Sequence, residues 1–327
     1  MRIDINYYKV ARVDKIFQEN LSLIMAQPWE EVKRPVYNDG TGVKVKRILQ
    51  VCNQYDLRRE FPIGSIRPVN LKGCIKEILW IWQKMSVDTK DLGLHIWDQW
   101  TDKDGRIPGC YGDMISRPVI MYKNNDDIYT YEDGEKYTNQ GMKFISGLDS
   151  IHANCGKIYF EKSSGYGFYN QTDFILWSLK NDKTSRRIIA SMFDPNTNNV
   201  KPLQECAFQI NLSVKGDELY MTLYQRSQDF ITANLWNVAQ YAALMMMFAH
   251  DAGLKPAIFT HFIQDCHVYD RHEKQAEELL KRPLFGPIPH VTISTRMEDK
   301  GFYDFTPDDF EVWNYEPQPQ IKFEVAK

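Results

Sequence analysis

A cysteine and an arginine lie on either side of a predicted β-hairpin in this 327-residue chain. Cys206 precedes an extended run that reaches Val214, and Arg226 follows the returning strand after a turn at 215–217. A hairpin brings the outer ends of its strands together, so the two residues are expected to be neighbours. A thiol attacks electrophilic carbon only as the thiolate, which a nearby cation favours. The pair predicts a cysteine nucleophile activated by an arginine.

Each of these residues also has a purely structural interpretation. Most cysteines of reduced proteins behave as small buried hydrophobes, and an arginine at a strand end usually interacts only with solvent. The choice between the two interpretations therefore depends on what else the chain carries.

Acidic, aromatic, basic and amide residues recur in short motifs along most of the chain. The motifs are Glu77-Ile-Leu-Trp-Ile-Trp82, His95-Ile-Trp-Asp-Gln-Trp100, Ser185-Arg-Arg187, Arg226-Ser-Gln-Asp229, Asn237 and Asp265-Cys-His-Val-Tyr269. In their order and spacing they resemble thymidylate synthase. The tail, from Phe302 to Lys327, is similar to the form of that enzyme in some Gram-positive bacteria.

The resemblance implies a methyltransferase that acts on carbon 5 of the uracil ring of deoxyuridine monophosphate (dUMP). Its cosubstrate would be 5,10-methylenetetrahydrofolate, which supplies both the carbon and the hydride, and no metal would be needed. Uracil carbon 5 is unreactive, but addition of the Cys206 thiolate at carbon 6 makes the ring an enolate with a nucleophilic carbon 5. Covalent catalysis of this kind replaces one hard step by two easier ones.

The resemblance also implies further catalytic residues. Glu77, acting through water, and Asn237 would stabilise the negative charge that develops on oxygen 4 of the ring. Arg226 and Asp229 complete the catalytic set. A tyrosine would abstract the proton, and the spacing after Trp97 indicates Tyr111, although Tyr166 lies in a similar motif.

Substrate-binding residues follow from the same resemblance. Guanidinium groups bind phosphate oxygens through paired, charge-assisted hydrogen bonds, and in the family a double arginine reaches across from the partner subunit, which implies a two-fold homodimer. The phosphate would be bound by Arg186, Arg187, Arg226 and Ser227, and the rest of the nucleotide by Asn211, His267 and Tyr269. The folate side would be formed by Trp97, Trp100, Leu203, Asp229 and Ala326.

Several positions depart from the family's pattern. Ala207 replaces a histidine, and Asn211 stands where glutamine is usual. The loop 232–236 replaces a glycine-and-proline segment that shapes the pyrimidine pocket, and 38–42 replaces an arginine-rich turn that binds phosphate, for which Arg34 is a candidate substitute. Each departure could alter substrate preference.

Three functional hypotheses therefore remain open. The first is thymidylate synthase, and the second is a pyrimidine nucleotide hydroxymethylase, in which water instead of hydride captures the methylene intermediate. Leu203 and Trp97 favour the first, because an aliphatic residue and a tryptophan at these places shield the intermediate from water. The third is a non-catalytic binding protein on the same fold.

The base is predicted to be uracil. A carboxamide such as that of Asn237 presents an acceptor to ring nitrogen 3 of uracil and a donor to oxygen 4, whereas cytosine reverses this pattern. The resemblance suggests an aspartate here in hydroxymethylases that act on cytidylate. Asn234, in the replaced loop, is the alternative base contact.

Composition agrees with a cytoplasmic enzyme, and 327 residues can bury a core as one large domain or two small ones; we favour a single domain spanning residues 1–327. The net charge of −3 gives no general affinity for nucleic acid. The six cysteines show no CxxC or His/Cys clustering, which argues against a zinc site and against a disulfide framework. No window approaches the length of a membrane span. The polar, turn-rich stretch at about 113–165 is interpreted as a surface insertion.

The predicted fold class is α+β. Hydrophobic periodicity indicates helices at 76–85, 170–180, 232–252 and 271–281, and strands at 44–51, 188–193, 206–214, 219–223 and 291–294. The resemblance implies that these elements form a mixed sheet packed with helices, with one face of the sheet making the dimer interface.

Overall fold

The computed structural model describes residues 10–117, 119–122, 144–145, 158–161, 166–195, 204–284 and 286–324. Its α-helices are α1 Arg12–Met25, α2 Leu71–Trp82, α3 Thr89–Leu92, α4 Tyr111–Ser116, α5 Gln171–Asn181, α6 Phe230–Asp251 and α7 Glu273–Lys281. Its strands are β1 Glu30–Val36, β2 Gly42–Asp56, β3 Val119–Tyr122, β4 Phe144–Ile145, β5 Ile158–Glu161, β6 Tyr166–Tyr169, β7 Ile189–Ser191, β8 Ala207–Lys215, β9 Glu218–Gln225, β10 Gln228–Asp229, β11 Lys255–Tyr269, β12 His290–Ile293 and β13 Phe310–Trp313.

The central sheet is mixed, which confirms the α+β class. Its strand order is β1-β2-β11-β9-β8-β7, and β10 also pairs with β11. The β9–β11 and β10–β11 pairs are parallel, and the others are antiparallel. The predicted hairpin is confirmed as β8 and β9, whose turn contains Gly216 at φ +67°.

One face of this sheet carries the helices and the hydrophobic core. Helix α6 packs against α2 and β11, and it is apolar on nearly all sides because it lies between the sheet and other helices. Its observed start is two residues before the predicted one, and Gly253, at φ +64°, follows its end.

Helix α2 begins earlier than predicted. The side chain of Asn70 accepts a hydrogen bond of 3.0 Å from the backbone N–H of Gly73, which caps the helix. Nearly every residue after Gly73 is buried, including Glu77, so the helix carries this carboxylate into the interior.

The stretch at 113–165 contains more regular structure than predicted. Where the structure describes it, strands β3, β4 and β5 join β6 in a second sheet of order β3-β6-β5-β4. The expectation of a turn-rich loop was therefore wrong for these strands, whose short apolar runs were not recognised. That the stretch is a surface insertion stays a prediction.

No helix in the described part of the chain is long and apolar enough to cross a membrane.

Candidate active site

A cavity of about 640 Å³ is bordered by α2, α6, the 204–206 segment and the ends of β2, β9 and β11. All six residues predicted to be catalytic line it, as do five of the predicted binding residues. These are Glu77, Tyr111, Cys206, Arg226, Asp229 and Asn237, together with Trp97, Trp100, Ser227, His267 and Tyr269. Residues as far apart in sequence as Glu77 and Tyr269 are thus brought together at one site. The volume of the cavity is typical of a small-molecule pocket.

Cys206 and Arg226 are neighbours, as the hairpin predicts. The Arg226 guanidinium lies 3.7 Å from Cys206 Sγ, measured from Nη2. It also donates to the carbonyl oxygens of Gln204 and Glu205, at 2.7 and 2.9 Å, and so fixes the segment before the thiol. Burial raises the pKa of the Cys206 thiol above its usual value, and the Arg226 charge opposes this effect without cancelling it.

Tyr111 also contacts Cys206, through the backbone of the cysteine. The backbone N–H of Cys206 donates to the Tyr111 hydroxyl at 2.9 Å. Burial raises the pKa of this phenol well above its usual value, so the hydroxyl keeps its proton at neutral pH. Tyr111 therefore stands beside the thiol, whereas the side chain of Tyr166, the alternative, lies outside the described residues.

Glu77 is surrounded by nitrogen donors. Trp97 Nε1 donates to Oε1 at 2.7 Å, while Trp236 Nε1 and Gln240 Nε2 donate to Oε2 at 2.6 and 2.9 Å. Trp236 fits here because Gly73, one turn earlier on α2, has no side chain: a Cβ there would lie 2.7 Å from the indole ring. Burial raises the pKa of Glu77, and these three donors oppose the rise by stabilising the carboxylate.

Asn237 is held by other amides. Its Oδ1 accepts hydrogen bonds from Gln228 Nε2 at 3.1 Å and Gln225 Nε2 at 3.3 Å. The two glutamines are buried at the cavity wall. Asn237 therefore lines the cavity with its Oδ1 already hydrogen-bonded to the two glutamines.

Asp229 occupies the N-cap position of α6 and lines the cavity, but its side chain makes no capping hydrogen bond. Its Oδ1 is buried and lacks a hydrogen-bond partner among the described residues, and His272 Nδ1 lies 3.9 Å away. His272 is bonded in turn to the Glu324 carbonyl oxygen of the C-terminal tail. An unpartnered buried carboxylate oxygen in a cavity that two tryptophan rings also line fits a flat polar ligand with N–H donors. The Trp97 and Trp100 ring centroids are 5.3 Å apart.

The strand β11 places His267 and Tyr269 at another wall. His267 Nδ1 is 2.8 Å from Asp265 Oδ1, and Arg47 Nη1 donates to Asp265 Oδ2 at 2.9 Å. Arg47 also donates to Glu30. Burial raises the pKa of Asp265, but the hydrogen bonds from His267 and Arg47 outweigh it, so the carboxylate is ionised.

The structure does not bring every predicted residue to the cavity of its own chain. Arg186 and Arg187 are exposed and do not line it. Asn211 does not line it either, because strand alternation turns its side chain away from the core side of Ile210 and Leu212, and its nucleotide-binding role stays a prediction. Leu203 and Ala326 lie outside the described residues, as does the Arg34 side chain.

The structure corrects the alternative base contact, Asn234. It is 1% exposed and donates to Gln228 Oε1 at 2.9 Å, behind the cavity wall.

Sequence reasoning missed several residues that line the cavity. They are Arg47, Gln225, Gln228, Trp236 and Gln240. Two of them carried a signal, because Trp236 ends a loop that departs from the family's pattern, and Gln240 follows Asn237 by three residues on the same helix.

Fold and cavity together are those of a methyltransferase with a cysteine at its centre, and comparisons with known proteins agree. The family model for thymidylate synthase matches residues 15–327. A thymidylate synthase of Streptococcus thermophilus is 32% identical over 329 residues, covering 97% of this chain and 100% of the relative. One from Streptococcus mutans is 31% identical over 330 residues, with the same coverage.

A solved structure supports the same assignment. Thermostable thymidylate synthase A from Bacillus subtilis matches with a TM-score of 0.74 and 30% identity, covering 96% of this chain and 99% of that chain. The chain belongs to the thymidylate synthase family. The resemblance inferred from the motifs is thereby confirmed.

Proposed function

We propose that this protein is a thymidylate synthase, which methylates dUMP to thymidylate with 5,10-methylenetetrahydrofolate as the source of carbon and hydride. The observation that carries the proposal is the meeting of Cys206, Arg226, Tyr111, Glu77 and Asn237 in one cavity. Cys206 is the nucleophile, Arg226 the cation beside it, and Tyr111 supplies a hydroxyl. Glu77 and Asn237 can stabilise the negative charge that develops on a carbonyl oxygen.

Cys206 would attack carbon 6 of the ring as the thiolate. Its thiol pKa is raised by burial in the unliganded chain, so the Arg226 guanidinium at 3.7 Å has to stabilise the small ionised fraction. Tyr111 accepts the Cys206 N–H and fixes the backbone from which the thiol attacks. Its phenol is also placed to take part in the later proton abstraction from carbon 5.

Glu77 and Asn237 would act on the oxygen 4 side of the ring. Glu77 Oε2 accepts two hydrogen bonds and Oε1 accepts one. A carboxylate oxygen has two lone-pair sites, so a water that relays protons to the substrate is best placed at Oε1, next to Trp97. Asn237 can donate its Nδ2 hydrogens directly.

The folate would bind against Trp97 and Trp100. The two rings offer stacking surface, and the unpartnered Asp229 Oδ1 can accept from the ring N–H groups of a pterin. Bound there, the folate supplies the one-carbon unit and the hydride, while these side chains orient it and exclude water.

Phosphate binding supports the homodimer. The arginines among the described cavity residues are Arg47 and Arg226, against the three carboxylates of Glu77, Asp229 and Asp265. Arg47 is occupied by Glu30 and Asp265. One chain therefore offers too little positive charge for a phosphate dianion.

The exposed residues Arg186 and Arg187 are suited to enter the cavity of a second copy. The sheet face opposite the helices fits such a contact, because it carries the half-buried rings of Phe208, Tyr224 and Phe262, with successive centroids 6.4 and 5.9 Å apart. The cytoplasmic location stays a prediction.

The second candidate is a hydroxymethylase, which would use the same folate without hydride transfer. Trp97 argues against it, because its ring shields the cavity and its N–H fixes Glu77.

Product analysis tests the proposal. Purified protein is incubated with dUMP and methylenetetrahydrofolate, and both products are identified by mass. Thymidylate and dihydrofolate are expected. A 5-hydroxymethyl nucleotide with tetrahydrofolate would indicate the hydroxymethylase, and no product would indicate a non-catalytic protein.

A further inference from the structure

A chain of buried amides continues behind Asn237, and it ends at a histidine. Gln228 Nε2 donates to Gln225 Oε1 at 3.1 Å and to Asn237 Oδ1 at 3.1 Å. Asn234 Nδ2 donates to Gln228 Oε1, and His261 Nε2 lies 2.8 Å from Gln225 Oε1. We call Gln225, Gln228, Asn234 and His261 the amide relay; each is at most 3% exposed.

The relay has a direction, because each amide has a donor end and an acceptor end. If one member turned over, its neighbours would face donor to donor or acceptor to acceptor unless they turned as well. The orientation of Asn237 at the cavity is therefore coupled to the tautomer of His261, on strand β11. What fixes that tautomer fixes the whole relay.

The surroundings of His261 select one tautomer. The ring is fully buried, and burial lowers its pKa to about 3, so it is neutral and carries one N–H. Its Nδ1 is buried without a hydrogen-bond partner among the described residues. An orphaned N–H donor costs more than an unused lone pair, so the hydrogen belongs on Nε2, where it is donated to Gln225 Oε1.

We propose that His261 sets the direction of the amide relay and thereby makes Asn237 present its N–H₂ group to the substrate, which selects a base with an acceptor at position 4. This inference rests on the proposed function, and it makes His261, Gln228 and Asn234 specificity-determining positioning residues. Uracil has an acceptor carbonyl at position 4. Cytosine has an amino donor there and would meet Asn237 donor to donor.

Two variants act on opposite ends of the relay. His261→Leu removes the donor that fixes Gln225, so both directions become accessible. Asn234→Asp replaces the donor to Gln228 Oε1 with an acceptor of the same shape, which favours the reversed direction. Turnover of dUMP and of deoxycytidine monophosphate (dCMP) is measured with methylenetetrahydrofolate, and the dissociation constant of each nucleotide is measured alone.

In each variant, the ratio of kcat/KM for dUMP to that for dCMP is expected to fall at least tenfold, and the ratio of dissociation constants is expected to shift in the same direction. A general loss of structure would lower both rates without this change in preference.

Tyr55→Phe is the matched control: Tyr55 and His261 both stack on Phe259, and the Tyr55 hydroxyl has no partner among the described residues. Its ratio is expected to stay that of the wild type.

The outcomes separate the inference from the proposed function. A wild-type protein that makes no 5-substituted product from dUMP would refute the proposed function, and the ratio of dissociation constants would still test the relay. The relay would be overturned by one combined result: the wild type prefers dUMP, and the folded His261→Leu and Asn234→Asp proteins keep this preference within twofold by both measures.

Discussion

The reactivity of Cys206 depends on a balance between burial and charge. Burial raises the pKa of its thiol, and Arg226 opposes that rise from 3.7 Å. The motif predicted the neighbours, but it could not predict which effect is larger, because burial is a property of the packed cavity. Substrate binding has to complete the activation.

Cys206→Ser is expected to abolish turnover, because a hydroxyl is a far weaker nucleophile than a thiolate at neutral pH. The oxygen is close in size to the sulfur, so the dissociation constant of dUMP should change by less than about threefold. Initial rates and equilibrium binding measure the two effects. Turnover close to that of the wild type would exclude the cysteine as nucleophile.

Trp236→Phe is expected to raise the pKa of Glu77 further. The phenyl ring keeps an aromatic side chain at this position but lacks the N–H that donates to Oε2. A hydrogen bond to a charged group contributes about 1.5–3 kcal/mol, so the limb of the kcat–pH profile governed by Glu77 should move up by about one to two pH units.

Trp80→Phe is the control for this change. It removes an indole N–H from α2, the helix that carries Glu77, but this donor is bonded to the Asp88 carbonyl oxygen. The protein should lose stability and keep its pH profile. If the limb moved equally in both variants, or did not move in Trp236→Phe, the role assigned to Trp236 would be wrong.

Helices and strands could be predicted from the sequence where the hydrophobic pattern of the segment matches the burial of its residues. Helix α6 and the β8–β9 hairpin carry clear periodicity, and both were predicted to within two residues or so at their ends. Strand β11 was missed, although it forms the centre of the sheet. Its 15 residues include His261, Asp265 and His267, whose polarity hides the strand. His261 and His267 are buried and Asp265 is half-buried, because the relay and the cavity supply hydrogen-bond partners, which no local pattern shows.

Strand β11 should make the protein sensitive to acid through His261. Its folded pKa is depressed to about 3, below the ordinary value of 6.5 that applies to the unfolded chain. The contribution to stability is therefore present above pH 6.5 and is lost progressively as the pH falls towards 3. Between pH 7 and 5 the loss from this group is about 2 kcal/mol.

Chemical unfolding at pH 7 and 5 measures this contribution. His261→Leu cannot take up the proton, so its free energy of unfolding should fall by about 2 kcal/mol less than that of the wild type over the same interval. Equal losses in both proteins would mean that His261 is not buried in the neutral form.

Helix α4 positions Tyr111 through a close backbone contact. A Cβ on Gly112 would lie 2.4 Å from the Ser86 carbonyl oxygen and 2.8 Å from two more backbone atoms. Gly112→Ala must therefore displace α4, at a cost of about 1–3 kcal/mol in stability, and it should lower kcat by moving the hydroxyl that holds Cys206. Gly42→Ala is the control, because a Cβ there meets nothing within 4 Å. Thermal unfolding and kcat are the measurements, and equal effects would refute the contact.

At the scale of the whole molecule, the proposed function makes the cavity of one chain chemically incomplete. The family motifs predicted the residues that line it, because those side chains lie on elements whose order the family shares. They could not predict that Asn234 would be buried behind the cavity wall and bonded to Gln228. Nor could they predict that Trp236 and Gln240 donate hydrogen bonds to Glu77, because these contacts depend on packing between α2 and α6. Under the proposed function, the exposed pair Arg186 and Arg187 would act only in the assembled homodimer.

Complementation between two inactive variants tests that assembly. If Arg187 serves the neighbouring cavity, Arg187→Ala impairs a site whose own Cys206 is intact, and Cys206→Ser impairs a site whose partner arginine is intact. In a heterodimer of the two, one cavity carries both changes and the other carries neither. Random exchange makes half of the dimers heterodimers, each with one intact site, so activity should recover to about a quarter of the wild-type value per chain.

The control mixes Cys206→Ser protein with a chain carrying both substitutions, in which no cavity can regain a nucleophile. It should remain inactive. Exchange of subunits is verified by mass spectrometry with one isotopically labelled partner. If exchange is complete and the first mixture also remains inactive, Arg187 acts within its own chain or not at all, and the shared site is refuted.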